Sequence, residues 1–112
     1  MDTNKVVDNR WVNFEKIKDE IFEILDFDKI HKTMVELNWE WFDVGIPTVN
    51  QLKDALFELM SEAWGRRLSI GTGGFFVRYW PKDEDGVEGL EVTFELTSAN
   101  CYIDDNHEIM IY

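Results

Sequence analysis

Residues 71–74, Gly-Thr-Gly-Gly, are the first candidate for a chemical site, because backbone N–H groups of a glycine loop can bind phosphate. A P-loop ends in Gly-Lys-Ser or Gly-Lys-Thr, and a dinucleotide-binding loop opens a helix, whereas this run leads into a strand-like segment. The context favours a glycine turn or bulge. Small-anion binding stays open as an alternative, since arginines could flank the turn. The residues of that alternative site are Arg66, Arg67, Gly73, Gly74 and Arg78.

The remaining candidates form no catalytic or metal-binding pattern. Cys101, the only cysteine, has no neighbouring cation or histidine along the chain that would favour a thiolate. His31 and His107 are the only histidines, and neither has a second histidine three or four residues away. With Asp104 and Asp105, His107 makes at most a partial metal site on a turn. We therefore expect a protein that is not an enzyme and that has no cofactor or metal.

Charge is the most informative property of the composition. The 112 residues include 23 acidic and 11 basic side chains, and the formal net charge is −12. Beyond Lys82 there is no lysine or arginine. Such a surface repels nucleic acid and anionic lipid and favours basic protein surfaces, although acidity also simply keeps proteins soluble. The acids beyond Lys82 are Asp83, Glu84, Asp85, Glu88, Glu91, Glu95, Asp104, Asp105 and Glu108.

Two helices are predicted before residue 39. Apolar residues recur at spacings of three and four from Phe14 to Leu25, and Asn13 is the expected N-cap. Asp28 would cap a second, shorter helix, which Asn38 would end.

A third helix has the clearest start signal in the chain. Thr48 and Gln51 have the spacing of a capping box, and a regular apolar stripe runs from Leu52 to Ala63. Gly65 would be the residue that follows the helix end.

Beyond this helix the apolar period changes from 3.6 to 2, which predicts strands. Alternation is clear over residues 75–80 and 90–97, and a short last strand is expected at 108–112. Turns at 83–86 and 104–106 would join these strands. The residues just before the glycine run add a fourth strand if they pair.

The predicted fold class is α+β, with two or three N-terminal helices followed by a three- to four-stranded antiparallel sheet packed on the long helix. We expect one domain over residues 1–112, with residues 1–9 flexible. Residues 1–5 open no apolar segment of the kind found in signal peptides, no run of about 18 apolar residues occurs, and a lone cysteine suits a reducing compartment, so we predict a cytoplasmic location.

Clustered aromatic residues have two interpretations. Trp39, Trp41 and Phe42 are close in sequence, and Phe76 and Trp80 share one strand face. They could pack against the first two helices, or they could form an exposed patch ringed by acids, which would be a hot spot for a basic partner. The predicted partner-binding residues are Asp83, Glu84, Asp85, Glu88, Glu91, Glu95, Trp39 and Trp41.

Four short segments resemble a group of small acidic proteins of tailed bacteriophages and prophages. The segments are Asn-Trp-Glu-Trp at 38–41, Pro-Thr at 47–48, the helix stripe at 52–63 and Gly-Thr-Gly-Gly-Phe at 71–75, and the likeness covers about residues 30–97. The resemblance implies a phage accessory protein that acts in the bacterial cytoplasm. It carries over no catalytic residue.

The leading hypothesis is therefore a phage-encoded protein that binds a basic protein surface. In its specific form, the protein is a DNA mimic with an anti-CRISPR or similar anti-defence role, inhibiting a host nucleic-acid-binding protein. No direct contact with nucleic acid or membrane is expected, because the charge has the wrong sign. The alternative hypothesis is a protein that binds or sequesters a small ligand such as a nucleotide or another anion.

Overall fold

Three helices precede a five-stranded antiparallel sheet in the computed structural model, which describes residues 9–95, 97–104 and 108–111. The predicted α+β class is confirmed, and the sheet has one strand more than the three or four expected. Residues 1–9 are predicted to be flexible. Residues 1–8 lie outside the described residues, and Asn9 belongs to the first helix. The elements are α1 (Asn9–Ile24), α2 (Phe27–Glu36), α3 (Val49–Arg66), β1 (Ile70–Thr72), β2 (Phe75–Trp80), β3 (Glu88–Phe94), β4 (Thr97–Ile103) and β5 (Ile109–Ile111).

The two shorter helices begin before their predicted caps. Asn13 lies inside α1, so the prediction that it caps this helix is wrong. The first described turn of α1 is held instead by α3, where the Trp64 indole N–H donates to the carbonyl of Arg10 at 2.9 Å. α2 is capped by Asp26 and not by Asp28, since the Asp26 side chain accepts a backbone N–H of the first turn at 3.0 Å.

The start of α3 agrees with the sequence, but its end does not. The capping box is confirmed, with the Gln51 N–H donating to Thr48 Oγ1 at 3.2 Å and the Thr48 N–H donating to Gln51 Oε1 at 2.9 Å. The helix continues past Gly65, and Arg67 takes the left-handed conformation (φ 55°). A Cβ at position 65 would lie 3.3 Å from the Trp11 ring, so this glycine permits close packing of α1 on α3.

The strands form a meander in the order β1-β2-β3-β4-β5, each antiparallel to the next. The glycine-turn interpretation is confirmed, because Gly73 (φ 63°) and Gly74 (φ 97°) form the two-residue turn between β1 and β2. The continuous strand predicted over 90–97 is wrong, since β3 ends at Phe94 and Glu95 (φ 52°) starts a turn into β4. The apolar alternation runs through that turn unchanged, so it could not reveal the break.

The helices cover one face of the sheet. α1 packs on β4 and α3 on β2, so the expected packing on the long helix is confirmed and α1 shares it, while α2 packs on α3. Within β2, Phe75 and Val77 are buried, whereas Phe76, Arg78 and Trp80 are exposed on the other face. No described helix covers that second face, which we call the open face. The buried hydrophobic residues of the strands are Phe75, Val77, Leu90, Val92, Phe94, Ala99, Cys101 and Ile103.

Candidate functional site

Four of the six acids predicted to bind a partner lie beyond the two ends of β3. Asp83, Glu84 and Asp85 belong to the turn that precedes β3. Glu95 follows the opposite end of β3, which is also the end where the ring of Trp39 packs. β3 has seven residues, and at about 3.3 Å for each residue its ends are about 20 Å apart. The structure therefore does not bring these acids together on one surface.

The acidic turn before β3 is built by one of its own carboxylates. Asp83 Oδ1 accepts the backbone N–H groups of Asp85 and Val87, both at 2.9 Å. Gly86, with φ 78°, completes the turn by donating its N–H to the Asp83 carbonyl at 3.0 Å. The side chains of Glu84 and Asp85 are exposed. Asp83 thus has a structural role, and its two neighbours provide the exposed charge.

Two of the predicted acids already have cations of the same chain. Glu88 lies 3.3 Å from Arg10 Nη2 and accepts the hydroxyl of Tyr79, and the Glu88 and Arg10 side chains are only 15% and 16% exposed. Burial raises the pKa of Tyr79, and the hydrogen bond to Glu88 raises it further. Glu91, on the open face, lies 3.8 Å from Arg78 Nη1. Glu88 and Glu91 therefore offer a partner less charge than their number in the sequence indicates.

Trp39 and Trp41 lie together in a cleft of about 410 Å³, which we call the tryptophan groove. It opens between the segment after α2, the side of α3 that carries Ala55 and Leu59, and the β1–β2 turn. The groove combines aromatic rings with one carboxylate, and none of the described residues that line it is basic. The lining residues are Trp39, Glu40, Trp41, Phe42, Ala55, Leu59, Thr72, Gly73 and Phe75.

The tryptophan rings of the groove are fixed by contacts with the sheet. Trp41 Nε1 donates to the carbonyl of Gly73 at 2.9 Å, across 32 positions of sequence. Trp39 packs on Phe94, with 5.2 Å between ring centroids. A Cβ at position 73 would lie 3.1 Å from the Trp41 ring, and one at Gly74 would lie 2.8 Å from Trp39. The two turn glycines therefore make room for the two tryptophans.

Phe42 stands at the tip of a short closed loop. Trp41 and Gly45 exchange both backbone hydrogen bonds, at 2.7 and 2.9 Å, which closes the loop beneath it. The Phe42 side chain is fully exposed, with a relative accessibility of 104%. An aromatic side chain held in water by an ordered loop is a strong candidate for a contact residue.

Further acids lie in or next to the segments that form the groove. Glu40 lines it, and Asp43 follows Phe42 on the loop. Asp54 and Glu58 immediately precede the lining residues Ala55 and Leu59 on α3, and all four acid side chains are exposed. The spacing of four between Asp54, Glu58 and Glu62 was the available signal, because it places three carboxylates along one side of a helix.

The other predicted aromatic pair lies on the open face. Phe76 and Trp80 are 47% and 38% exposed, so the interpretation that they pack against the first two helices is wrong. Trp80 is partly covered by the guanidinium of Arg78, whose Cζ is 4.8 Å from the ring centroid, and by Tyr102, at 6.4 Å between centroids.

The predicted small-anion residues do not share one cleft. Gly73 lines the tryptophan groove, whereas Arg67 lines a separate cleft of about 570 Å³. Arg66 pairs with Glu62 at 2.8 Å on the surface of α3, and Arg78 lies on the open face. The larger cleft also contains the cations Arg10 and Lys82 and the acids Glu88 and Asp104.

The structure places Cys101 in the core, where burial raises the pKa of its thiol to about 12. Over residues 9–95, 97–104 and 108–111 there is no group of three side chains able to hold a metal ion, and the partial site considered from sequence lies largely outside these ranges, at Asp105 and His107. None of the helices in the described part of the chain is long and apolar enough to cross a membrane.

Comparisons with protein-family models, with curated proteins and with solved structures found no match to this chain. The functional proposal therefore rests on the residues and geometry described above.

Proposed function

We propose that this chain is an interaction protein that binds a basic protein surface through the tryptophan groove, without catalysis. The observation that carries the proposal is the groove itself, in which Trp39, Trp41 and Phe42 meet Glu40 and no basic residue of the described lining opposes a cationic partner. Aromatic side chains dominate binding energy where a partner removes them from water, and surrounding charges select the sign of that partner.

Charge supports the proposal over a longer range. A net charge of −12 attracts a cationic surface before contact, and the effect weakens as salt screens it. The carboxylates of Asp54 and Glu58 follow one another along α3, with about 6 Å between their Cβ atoms, and Glu62 continues the row but is paired with Arg66 at 2.8 Å. Such a row can face a row of lysines or arginines.

The specific form of the proposal is a phage-encoded inhibitor in the bacterial cytoplasm. A cationic groove that normally holds nucleic acid is the basic surface that best matches a row of carboxylates, so the protein would act as a DNA mimic against a host nucleic-acid-binding defence system. The support for phage origin is the resemblance over residues 30–97.

The test compares Phe42→Ala with Val44→Ala as a control. Both side chains are exposed on the same loop, but only Phe42 lines the groove, and neither change disturbs the core. A basic protein captured from bacterial lysate is titrated with each variant at low and high salt. We expect Phe42→Ala to weaken binding by about 30-fold and Val44→Ala to have little effect. Rising salt should weaken binding by the unmodified chain and by both variants. Binding that resists salt, or that both variants retain, would contradict the proposal.

A second candidate function, small-anion binding, is favoured by the position of Arg67. This residue lines the 570 Å³ cleft with Arg10 and Lys82, and the acids Glu88 and Asp104 of the same cleft balance part of this positive charge. Thermal unfolding against a panel of nucleotides tests it. A stabilising ligand raises the melting temperature, and we expect the rise to disappear in Arg67→Ala but to persist in Arg66→Ala, whose side chain pairs with Glu62 outside the cleft. No shift with any nucleotide would remove this candidate.

A further inference from the structure

We infer that the tryptophan groove binds one arginine side chain of the partner protein. The inference rests on the proposed function and names the chemical group that the groove recognises. Three features support it. The groove presents aromatic rings and a glutamate, and its described lining has no basic residue. Elsewhere in the chain, Arg10 and Arg78 each lie between a tryptophan ring and a glutamate.

The groove presents aromatic faces and one carboxylate. The indole N–H of Trp41 is already bonded to the carbonyl of Gly73, so Trp41 offers its ring and not a donor. Phe42 adds a fully exposed ring, and Glu40 adds an exposed negative charge. A cation fits this combination, because it is attracted both by the ring faces and by the carboxylate. An anion would be repelled, and an uncharged apolar group would gain nothing from the carboxylate.

A partly buried cluster beside Trp64 shows the same combination with its arginine in place. The Arg10 guanidinium lies over Trp64, with Cζ 4.6 Å from the ring centroid, and its Nη2 lies 3.3 Å from Glu88. One tryptophan face and one carboxylate thus hold one guanidinium.

The open face repeats the arrangement. Arg78 Cζ is 4.8 Å from the centroid of Trp80, and Arg78 Nη1 is 3.8 Å from Glu91. The lysines contact a different ring: Lys18, which is also paired with Glu15 and Asp19, and Lys53 lie over phenylalanine rings at 5.6 to 5.9 Å, and neither lies over a tryptophan. In the described residues, tryptophan with glutamate therefore accompanies arginine, and the tryptophan groove has the tryptophan and the glutamate without the arginine.

The planar guanidinium also explains why arginine is favoured over lysine. It stacks on an aromatic ring, it can donate two parallel hydrogen bonds to a carboxylate, and it is more weakly hydrated than an ammonium group. A cleft of about 410 Å³ is at the small end of the range for ligand pockets, which suits one long side chain and its immediate neighbours.

Three short peptides that differ only at a central residue test the inference. The central residue is arginine, lysine or citrulline, the uncharged isostere of arginine, and leucines flank it in all three. Binding to the full chain is measured by calorimetry and by the shifts of the tryptophan indole N–H resonances. We expect the arginine peptide to bind at least about tenfold more tightly than the other two and to shift the Trp41 resonance.

The variant Glu40→Gln, with Glu36→Gln as its control, assigns the effect to the groove. Glu36 is an exposed acid at the end of α2 and does not line the groove. We expect Glu40→Gln to reduce the preference for arginine over citrulline by about tenfold and Glu36→Gln to retain it.

The outcomes separate this inference from the proposed function. Equal binding of the arginine and lysine peptides would overturn the arginine assignment and leave binding of a basic surface intact. If the citrulline peptide binds as tightly as the arginine peptide, both the arginine assignment and the proposed function are contradicted, because the groove would then bind an uncharged side chain equally well. If none of the peptides binds, the arginine assignment fails, and the Phe42→Ala titration with a captured protein decides the proposed function independently.

Discussion

Replacement of Gly74 by alanine is expected to lower the free energy of unfolding by about 3 kcal/mol. Two costs combine. Gly74 has φ 97°, a conformation that costs an L-residue about 1–2 kcal/mol. In addition, the new Cβ would lie 2.5 Å from Phe94 Cε2 and 2.8 Å from Trp39 Cζ2. Phe94 is buried and Trp39 packs on it, so neither ring can move away without disturbing the core, and such overpacking costs about 1–3 kcal/mol.

Gly45→Ala is the matched control for this prediction. Gly45 also has a positive φ, 70°, but no atom lies within 4 Å of the position that a Cβ would take. Its replacement should cost only the backbone term, about 1 kcal/mol. Urea unfolding of both variants measures the difference, which reports the contact of Trp39 and Phe94 with the turn. Equal losses in the two variants would show that the rings do not press on Gly74.

Replacement of Glu88 by glutamine is expected to cost about 2 kcal/mol, since it removes the charge that Arg10 and Tyr79 share. The pair is largely shielded from water, and Arg10 is also held over Trp64, so the guanidinium cannot turn away to solvent without losing that contact. Glu91→Gln is the control on the same strand. Because Arg78 is half exposed and 3.8 Å away, that change should cost less than about 0.5 kcal/mol.

The Glu88 cluster also gives the stability a dependence on alkaline pH, which provides a second readout. The pKa of Tyr79 is raised above its ordinary value of 10.0, first by burial and then by Glu88. Folding therefore favours the neutral hydroxyl, and this contribution is complete below about pH 10 and lost as the pH rises through the folded pKa. Cys101, whose pKa is raised to about 12, also lowers the stability as the pH rises, and it does so equally in every variant.

Urea unfolding at a series of pH values, with Tyr79→Phe as the reference, measures both effects of the cluster. We expect the free energy of unfolding of the unmodified chain to fall more steeply above about pH 10 than that of Tyr79→Phe. Two results together would show that the cluster contributes little to stability. One is an equal free energy of unfolding for Glu88→Gln and Glu91→Gln. The other is a parallel fall of that free energy above about pH 10 in the unmodified chain and in Tyr79→Phe.

Much of the fold could be predicted because its signals are local. The Thr48–Gln51 capping box and the paired turn glycines act within four residues, and their hydrogen bonds and φ angles depend on little beyond the segment itself. Asn38 likewise has the positive φ (51°) expected of a residue that ends α2. The turn at Glu95 escaped prediction because no glycine or proline marks it and the alternation of Leu90, Val92 and Phe94 continues beyond it.

The candidate site was predictable only in part. Trp39 and Trp41 were selected from their clustering, but the acids chosen with them came from the C-terminal third, where charge is most uniform along the sequence. The density of acidic residues along the sequence does not show which side chains share a surface. Asp83 is used in building its own turn, and Glu88 is paired with Arg10, so both carboxylates are already engaged within the chain.

The sequence by itself determined the net charge, the order of helices before strands and the residues able to cap and turn them, because these depend on composition and on contacts between near neighbours. Only the tertiary structure decided which charges surround the aromatic rings. The hydrogen bond from Trp41 to Gly73 joins segments 32 positions apart, and α3 lies against them through packing that no short-range pattern encodes. Long-range packing thus places Glu40 in one groove with the aromatic rings and with Ala55 and Leu59 of α3.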